Sequence, residues 1–577
     1  MRSPDKMKIK KTFISSKYMS MLCSGTMLMV LTAIMSMVDT LIAGITLGED
    51  AVAGICLVLP VYSLASFFAV CFSYGVPILY AGKIGSFRKK EADKCFGVGL
   101  TVVSVIGILM FFLILLCGDA FLRAYNPEPQ VYESASEYLS WMKFVVLLLP
   151  LNELLDGMLF ADGDEKISLT ANISQGVLKV ILSVVLCRIM GVSGLAVASL
   201  ISFAVSILIS FIHFFRPGNT LKLNLAFSPA VFRDIIRFGL VDASTHLFIS
   251  LFTVVINFFV ITVFGPEMLI IVSVITLLKE GQILFEGIGE AITPLISTYL
   301  GEGNYPGIRK IWMFAQWSLW AESFLSTVFI LVFAPSIVGL LGISDPSVAG
   351  YAIFGLRIMS LTLLFTCRLF LDSSYFILVE RVSLGVLDSL LRDLVPALPL
   401  AVLGGLTGGI YGMFIGLAVA PPIGFFLSVL YIKKKYGKEN YALFLADMEK
   451  RKNVKLYEFK VSPDAIIKAR DEIGILLKDS SCSDKQINRT MLIFEELFML
   501  IHDCNPGKTI LAECLVEIGD TILLTTKDNG RIIDLTDTDR DVSSLRSYVF
   551  SSLLETHTTR RIHFFALSYN HTVLEIN

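Results

Sequence analysis

Asp39 is a lone carboxylate inside an otherwise uncharged apolar run that begins near Tyr18. An ionised side chain near the centre of a lipid-embedded helix costs roughly 2.5 to 3.5 kcal/mol on insertion scales, so it must face protein or a wet cavity. Other ionisable residues interrupt apolar stretches in the same way. Lys179 lies within GVLKVILSVVL, Asp242 and His246 are one helical turn apart, and Lys279 and Glu280 precede Glu286 and Glu290. Glu322 stands alone, while Arg368 and Asp372 are four apart and read as an internal ion pair. Glu280 and Glu286 are candidates to offer carboxylates to a cationic substrate, with a buried pairing to Lys279 as the alternative. Ionisable groups at membrane depth mark ion and substrate paths more often than they stabilise a fold.

The elements that must position these groups are membrane helices. Of 577 residues, 55% are hydrophobic and 17% charged, and the mean hydropathy is +0.72. That is too apolar for a soluble chain of this length. Windows of roughly 20 apolar residues give spans at about 17–45, 52–82, 93–118, 135–161, 166–189, 193–215, 232–264, 267–300, 308–341, 349–378, 382–404 and 409–432. Twelve spans put both termini on one side. Lys and Arg collect at the N-terminus, in alternate loops (Lys83 to Lys94, Arg216 to Arg237, Arg309 and Lys310) and after the last span (Lys433 to Lys438), so both ends are expected in the cytoplasm. No cleavable signal peptide is expected, since the first apolar stretch is longer than a signal core. The net charge of -2 gives no reason to expect nucleic acid as a partner. The ten cysteines lack CxxC or Cys/His ligand spacing, so neither a disulfide framework nor a zinc site is expected.

The chain repeats itself. GVPILYAGKIGSFRKKEADK aligns with AITPLISTYLGEGNYPGIRK with Gly85 against Gly301, an offset of 216. LDGMLFADGDEKISL aligns with LDSSYFILVERVSL at the same offset, Asp156 against Asp372, and Gly194 pairs with Gly412 at 218. Two six-helix lobes in one orientation, 17–216 and 217–436, imply a parallel repeat with a cleft between the lobes.

The paired lobes, Asp39-Thr40 with Gly44 before LGEDAVAG, the Gly82 to Gly85 element and TPLISTYLGEGN resemble the multidrug and toxin extrusion (MATE) transporters over residues 15–436. The resemblance implies a V-shaped exporter that exchanges protons or sodium for organic cations, with Asp39 as the coupling carboxylate of the N-terminal lobe. The sodium-binding branch of that family completes the site with an Asn and an Asp on the fifth helix. Here those positions hold Lys179 and Ser183, which suggests a tethered ammonium in place of a mobile cation. The alternative is that Lys179 snorkels to an interface.

After a linker at 437–454 the composition becomes ordinary, and residues 455–577 read as a small α/β sandwich. Strands are expected at about 455–461, 509–517 and 520–527 and at the end, with helices at about 463–478, 484–503 and 543–554. FEELFMLIHDC and TTKDNGRIIDL resemble the ATP-binding fold of histidine kinases and anti-sigma-factor kinases. The resemblance matches Glu495 and Glu496 to the family's carboxylates, and Asp528 with Gly530 to its adenine loop. It departs at Leu500, which stands where the family has a magnesium-binding Asn and has no donor atom. The glycine-rich lid is replaced by DVSSLRSYVFSSLLE. No kinase turnover is expected; ATP on the tail, or docking of a cytoplasmic regulatory protein, is left open.

The fold class expected is therefore an all-α polytopic membrane protein of two six-helix repeats with a cytoplasmic α/β domain. It is read as a non-enzymatic exporter of a small organic cation in the plasma (inner) membrane, driven by protons or sodium, with no metal site. A flippase for a lipid-linked precursor and a membrane-tethered nucleotide sensor are the rival readings.

Overall fold

The computed structural model describes residues 12–577 except 48, 125–128, 217–218, 266–267, 269, 341–345, 439–442, 446–452, 481 and 537–544. The first half of the chain forms α1 (Phe13–Thr46), α2 (Glu49–Gly85), α3 (Lys89–Ala124), α4 (Pro129–Ala161), α5 (Glu165–Met190) and α6 (Val192–Phe211). The second half forms α7 (Pro229–Phe264), α8 (Ile270–Gly281), α9 (Glu286–Glu302), α10 (Tyr305–Leu340), α11 (Pro346–Ser360), α12 (Leu363–Leu378), α13 (Val382–Asp393) and α14 (Ala397–Tyr436). Helices cover all twelve apolar windows. Among the described residues, seven helical segments are individually long and apolar enough to cross a membrane, or eight if α11 and α12, bent by 52°, count as one.

Three spans expected as continuous helices are broken. A 3₁₀ turn at Gln282–Phe285 separates α8 from α9, a bend separates α11 from α12, and Leu394 to Pro396 separate α13 from α14. Hydropathy windows cannot see these breaks, because the residues at them are as apolar as their neighbours. The reverse happens at Gly408 and Gly409, which lie inside α14 but are non-helical; Gly409 has φ 61, which its missing Cβ permits. That pair turns the chain between the eleventh and twelfth windows.

Among the described residues, the apolar cores that the lobes share lie towards the tail end. At the tail end of the bundle one such core includes Tyr18 and Met21 of α1, Ile292 and Tyr299 of α9, Trp312 of α10 and Tyr375 of α12. At the far end each lobe buries its own cluster, one around Ile42, Val58, Met142 and Leu195, the other around Phe252, Ile275, Leu356 and Phe414. The lobes therefore diverge away from the tail. Their contact is self-complementary: a Cβ on Gly85 would lie 2.0 Å from the Thr298 carbonyl oxygen, and one on Gly301 would lie 2.4 Å from that of Gly82. Gly82 and Thr298 are themselves 216 apart, so the same surface serves both partners, as in a two-fold interface.

The C-terminal domain is a five-stranded antiparallel sheet in the order β1-β2-β3-β5-β4, with β1 (Asn453–Lys460), β2 (Leu511–Ile518), β3 (Ile522–Asp528), β4 (Thr558–Ala566) and β5 (Tyr569–Ile576). Helices α15 (Pro463–Asp479), α16 (Asp484–Asp503) and α17 (Leu545–His557) accompany it. Strand alternation divides the side chains. Ala512, Cys514, Val516 and Leu524 join Ile473, Phe494 and Phe498 in the domain's core, whereas Leu511 and Tyr569 belong to the core of the helical bundle. The sheet thus has helices on one face and the tail end of both lobes on the other.

Candidate functional site

Four helices of the first lobe converge on Asp39. The residue is 8% exposed, and Lys179 Nζ of α5 lies 3.4 Å from its Oδ2. Tyr138 Oη of α4 donates to the same oxygen at 2.9 Å, and Ser199 Oγ of α6 at 3.4 Å. All three donors address Oδ2. Oδ1 is buried and has no hydrogen-bond partner among the described residues, and the same is true of Ser183 Oγ, one turn beyond Lys179 on α5. A buried acceptor without a donor is costly, so Oδ1 is a place where a proton or a donor can be gained. Tyr138 and Ser199 were not anticipated; their only sequence signal is a polar group inside an apolar window.

The second lobe carries more charge. Arg368 Nε and Asp372 Oδ2 are 2.9 Å apart, forming the pair that their spacing suggests. Lys279 reaches across to α13. It approaches Asp393 Oδ1 at 3.6 Å and lies 4.2 Å above the Phe252 ring, while Asp393 Oδ2 accepts from Arg392 at 2.7 Å and 3.0 Å. Asp393 went unnoticed in the sequence because it falls in a turn-like LLRDLVP stretch that conceals how deeply α13 is buried. Glu286 begins α9 and borders a small cavity between the lobes with Tyr74, Thr293 and Phe370. It is not brought to Asp39. The side chains of Asp242, His246 and Glu280 lie outside the described residues.

In the tail, the residues matched to a nucleotide site have intramolecular partners. Glu495 Oε2 is 2.6 Å from Arg470, and Glu496 Oε2 is 3.4 Å from Arg546. Asp528 Oδ1 accepts from Asn570 Nδ2 and from the Gly530 amide, each at 2.9 Å; burial pushes its carboxyl up to about 6. Leu500 is buried in the domain's apolar core. Part of the segment standing in place of a glycine-rich lid, 541–544, lies outside the described residues. The sheet and its helices fit the expected sandwich.

The described residues thus form a membrane bundle of two repeated lobes that diverge from a shared end, with a buried carboxylate in one lobe. The MatE family profile matches residues 26–185. The fold is that of the MATE transporters: a structure described as "MATE in complex with MaL6" and one described as the outward-facing conformation of a multidrug resistance MATE family transporter each superpose with a TM-score of 0.68 at 20% identity, covering 76% of this chain and 97% of theirs. A transporter of the MOP superfamily from Pyrococcus furiosus, described as having a binding pocket of reverse polarity, superposes at 0.65 with 21% identity over 73% of this chain and 96% of its own. No curated protein matches the sequence. The chain is a multi-pass membrane protein that matches the MatE profile over residues 26–185 and shares its fold with MATE transporters of known structure.

Proposed function

We propose that this protein exports a small organic cation across the plasma membrane in exchange for protons, with Asp39 as the coupling carboxylate and both termini in the cytoplasm. The observation that carries the reading is the Asp39 site: one oxygen is held by Lys179, Tyr138 and Ser199, and the other is bare. Lys179 holds the position of a mobile cation, which leaves the proton as the ion that moves. A proton arriving at Oδ1 removes the charge that attracts Lys179 and loosens the pair, and its departure restores it. A cycle of that kind supplies two states for the lobes. Asp242, Glu280 and Glu286 are assigned to the cation's path between the lobes, and the tail to regulation, without nucleotide turnover.

The test uses the purified protein in proteoliposomes under an imposed pH gradient. Organic-cation flux should follow the gradient in the parent and fall at least tenfold in Asp39→Asn, which keeps the shape but cannot exchange a proton. Equal flux in the two would remove Asp39 from coupling.

A further inference from the structure

The tail domain touches both lobes through charged groups that are buried from water. Lys527 Nζ on β3 bridges Glu302 of α9 and Glu513 of β2, and the three side chains are 0 to 2% exposed. Tyr299 Oη of α9 donates to Glu513 at 2.7 Å, and its ring lies 3.5 Å from the same ammonium. Glu458 of β1 joins the lobes directly: its Oε1 accepts from the Ile14 amide at the start of α1 at 3.1 Å, and its Oε2 accepts from Lys310 of α10. An unsatisfied amide at a helix N-terminus is a natural seat for a carboxylate. On the first lobe, Ser568 Oγ donates to the Gly163 carbonyl, and Phe564 meets Phe87 with centroids 6.0 Å apart. Any motion that separates the tail ends of the lobes must break one of these sets.

The central cluster is one proton short of neutral. It holds two carboxylates, Glu302 and Glu513, against one ammonium, Lys527. His571 on β5, cross-strand from Lys527, presents Nδ1 at 3.5 Å from Glu302 Oε1. Neither atom has a hydrogen-bond partner among the described residues. His571 Nε2 is likewise without a partner among the described residues; with the ring proton there, Nδ1 and Oε1 are two buried acceptors that face each other, and one shared proton satisfies both. The surrounding titratable groups are Tyr299 of α9, Glu513 of β2, Lys527 of β3, His563 of β4 and Tyr569 of β5, with Glu458 of β1 further off and already paired.

We infer that the C-terminal domain is a proton-set latch, which clasps the tail ends of both lobes when a proton occupies the gap between Glu302 and His571 and loosens when that proton leaves. Burial and the Lys527 ammonium hold His571 well below the usual imidazole range, so the proton resides on the carboxyl side, and burial pushes Glu513 up in the same direction. Above the usual imidazole range, where a released His571 is neutral as well, the docked state therefore binds more protons than the released one. Docking is favoured as pH falls and lost as pH rises, with a dependence of at most about one proton, or tenfold in the docked-to-released ratio per pH unit. Below about pH 6.5 a released His571 binds a proton of its own, and that dependence ends. For a proton-driven exporter, acidification of the cytoplasm would hold the lobes together on that side and slow further proton entry; this consequence rests on the transport reading above, whereas the latch itself does not.

The experiment is a distance measurement on the full chain in nanodiscs, with spin labels at Lys90→Cys and Lys508→Cys in an otherwise cysteine-free background. Both sites are exposed, one beside the first lobe and one on the tail. The parent should show a single short distance near pH 6 and a growing longer one towards pH 8. Glu302→Gln, which carries the neutral form permanently, should stay short throughout, and Lys527→Met, which leaves two carboxylates unopposed, should favour the longer distance at every pH. A parent distribution that does not change with pH, or a Glu302→Gln protein that titrates like the parent, overturns the latch. A distance that shifts as expected in a protein that moves no cation leaves the latch standing and refutes the transport reading instead.

Discussion

The two lobes place polar groups at the same repeat positions and fill them with opposite chemistry. In the first lobe Asp156 accepts from Asn172 Nδ2 at 2.8 Å and from Ser168, and Asn152 reaches Gln175 at 3.5 Å. At the offset of 216 the second lobe has Arg368 for Asn152, Asp372 for Asp156 and Asp388 for Asn172. There the partners are charged: Arg368 pairs with Asp372, and Asp388 takes the Ser428 hydroxyl. One scaffold thus carries a carboxyl held by neutral donors on one side and an ion network on the other. Asp388 Oδ2 is, like Asp39 Oδ1, a buried oxygen without a partner among the described residues, but at Asp39 the sister oxygen also holds an ammonium, so a proton arriving there changes the charge of an ion pair. On the proposed reading, coupling falls to the Asp39–Lys179 pair of the first lobe and rigidity to the Arg368–Asp372 pair of the second.

The largest effect expected is in the second lobe. Arg368→Met strips Asp372 of its cation and should lower the stability of the protein by roughly 3 to 5 kcal/mol, read as a fall in the thermal unfolding midpoint in detergent. A loss no larger than that of a surface substitution would break the contrast between the lobes. Asn172→Asp, which gives the first lobe the second lobe's pair of carboxylates without its arginine, should destabilise by about 2 to 3 kcal/mol at pH 8. Most of that loss should be recovered at pH 5, where one carboxyl is protonated, and a pH-independent loss would count against the charge argument. The smallest effect is at the Asp39 site. Tyr138→Phe removes one of three donors to Oδ2 and should cost about 1 kcal/mol in stability while slowing flux several-fold, since Lys179 and Ser199 remain. Stability and flux falling together by the same factor would point to a merely structural tyrosine.

Much of the scaffold could be read before any coordinates. Apolar windows locate helices because a membrane demands about twenty apolar residues in a row, and the offset of 216 survives because Gly85 and Gly301 have no room for a side chain. Asp39 and Lys179 stood out because charge inside such a window is rare, and that they could meet was implied by the resemblance to the MATE transporters. Tyr138, Ser199 and Asp393 could not be found that way, since a hydroxyl in an apolar helix costs little and a charge near a helix end looks solvated. The latch was less legible still. Asp528 drew notice as part of a familiar turn, but strand alternation puts its neighbour Lys527 on the opposite face, towards Glu302, 225 residues earlier. A lysine and a glutamate within otherwise apolar strands were the available signal, and only the register of β2, β3 and β5 shows that they meet.

The central claim is that Lys179 stands in for a mobile cation beside Asp39. The measurement that tests it most directly is organic-cation flux into proteoliposomes of Lys179→Ala under an imposed pH gradient and, separately, under an imposed sodium gradient, each against the parent. The account predicts that the parent responds to the pH gradient alone, and that Lys179→Ala loses most of that response or acquires a dependence on sodium. Parent-like, proton-driven flux in Lys179→Ala would contradict it.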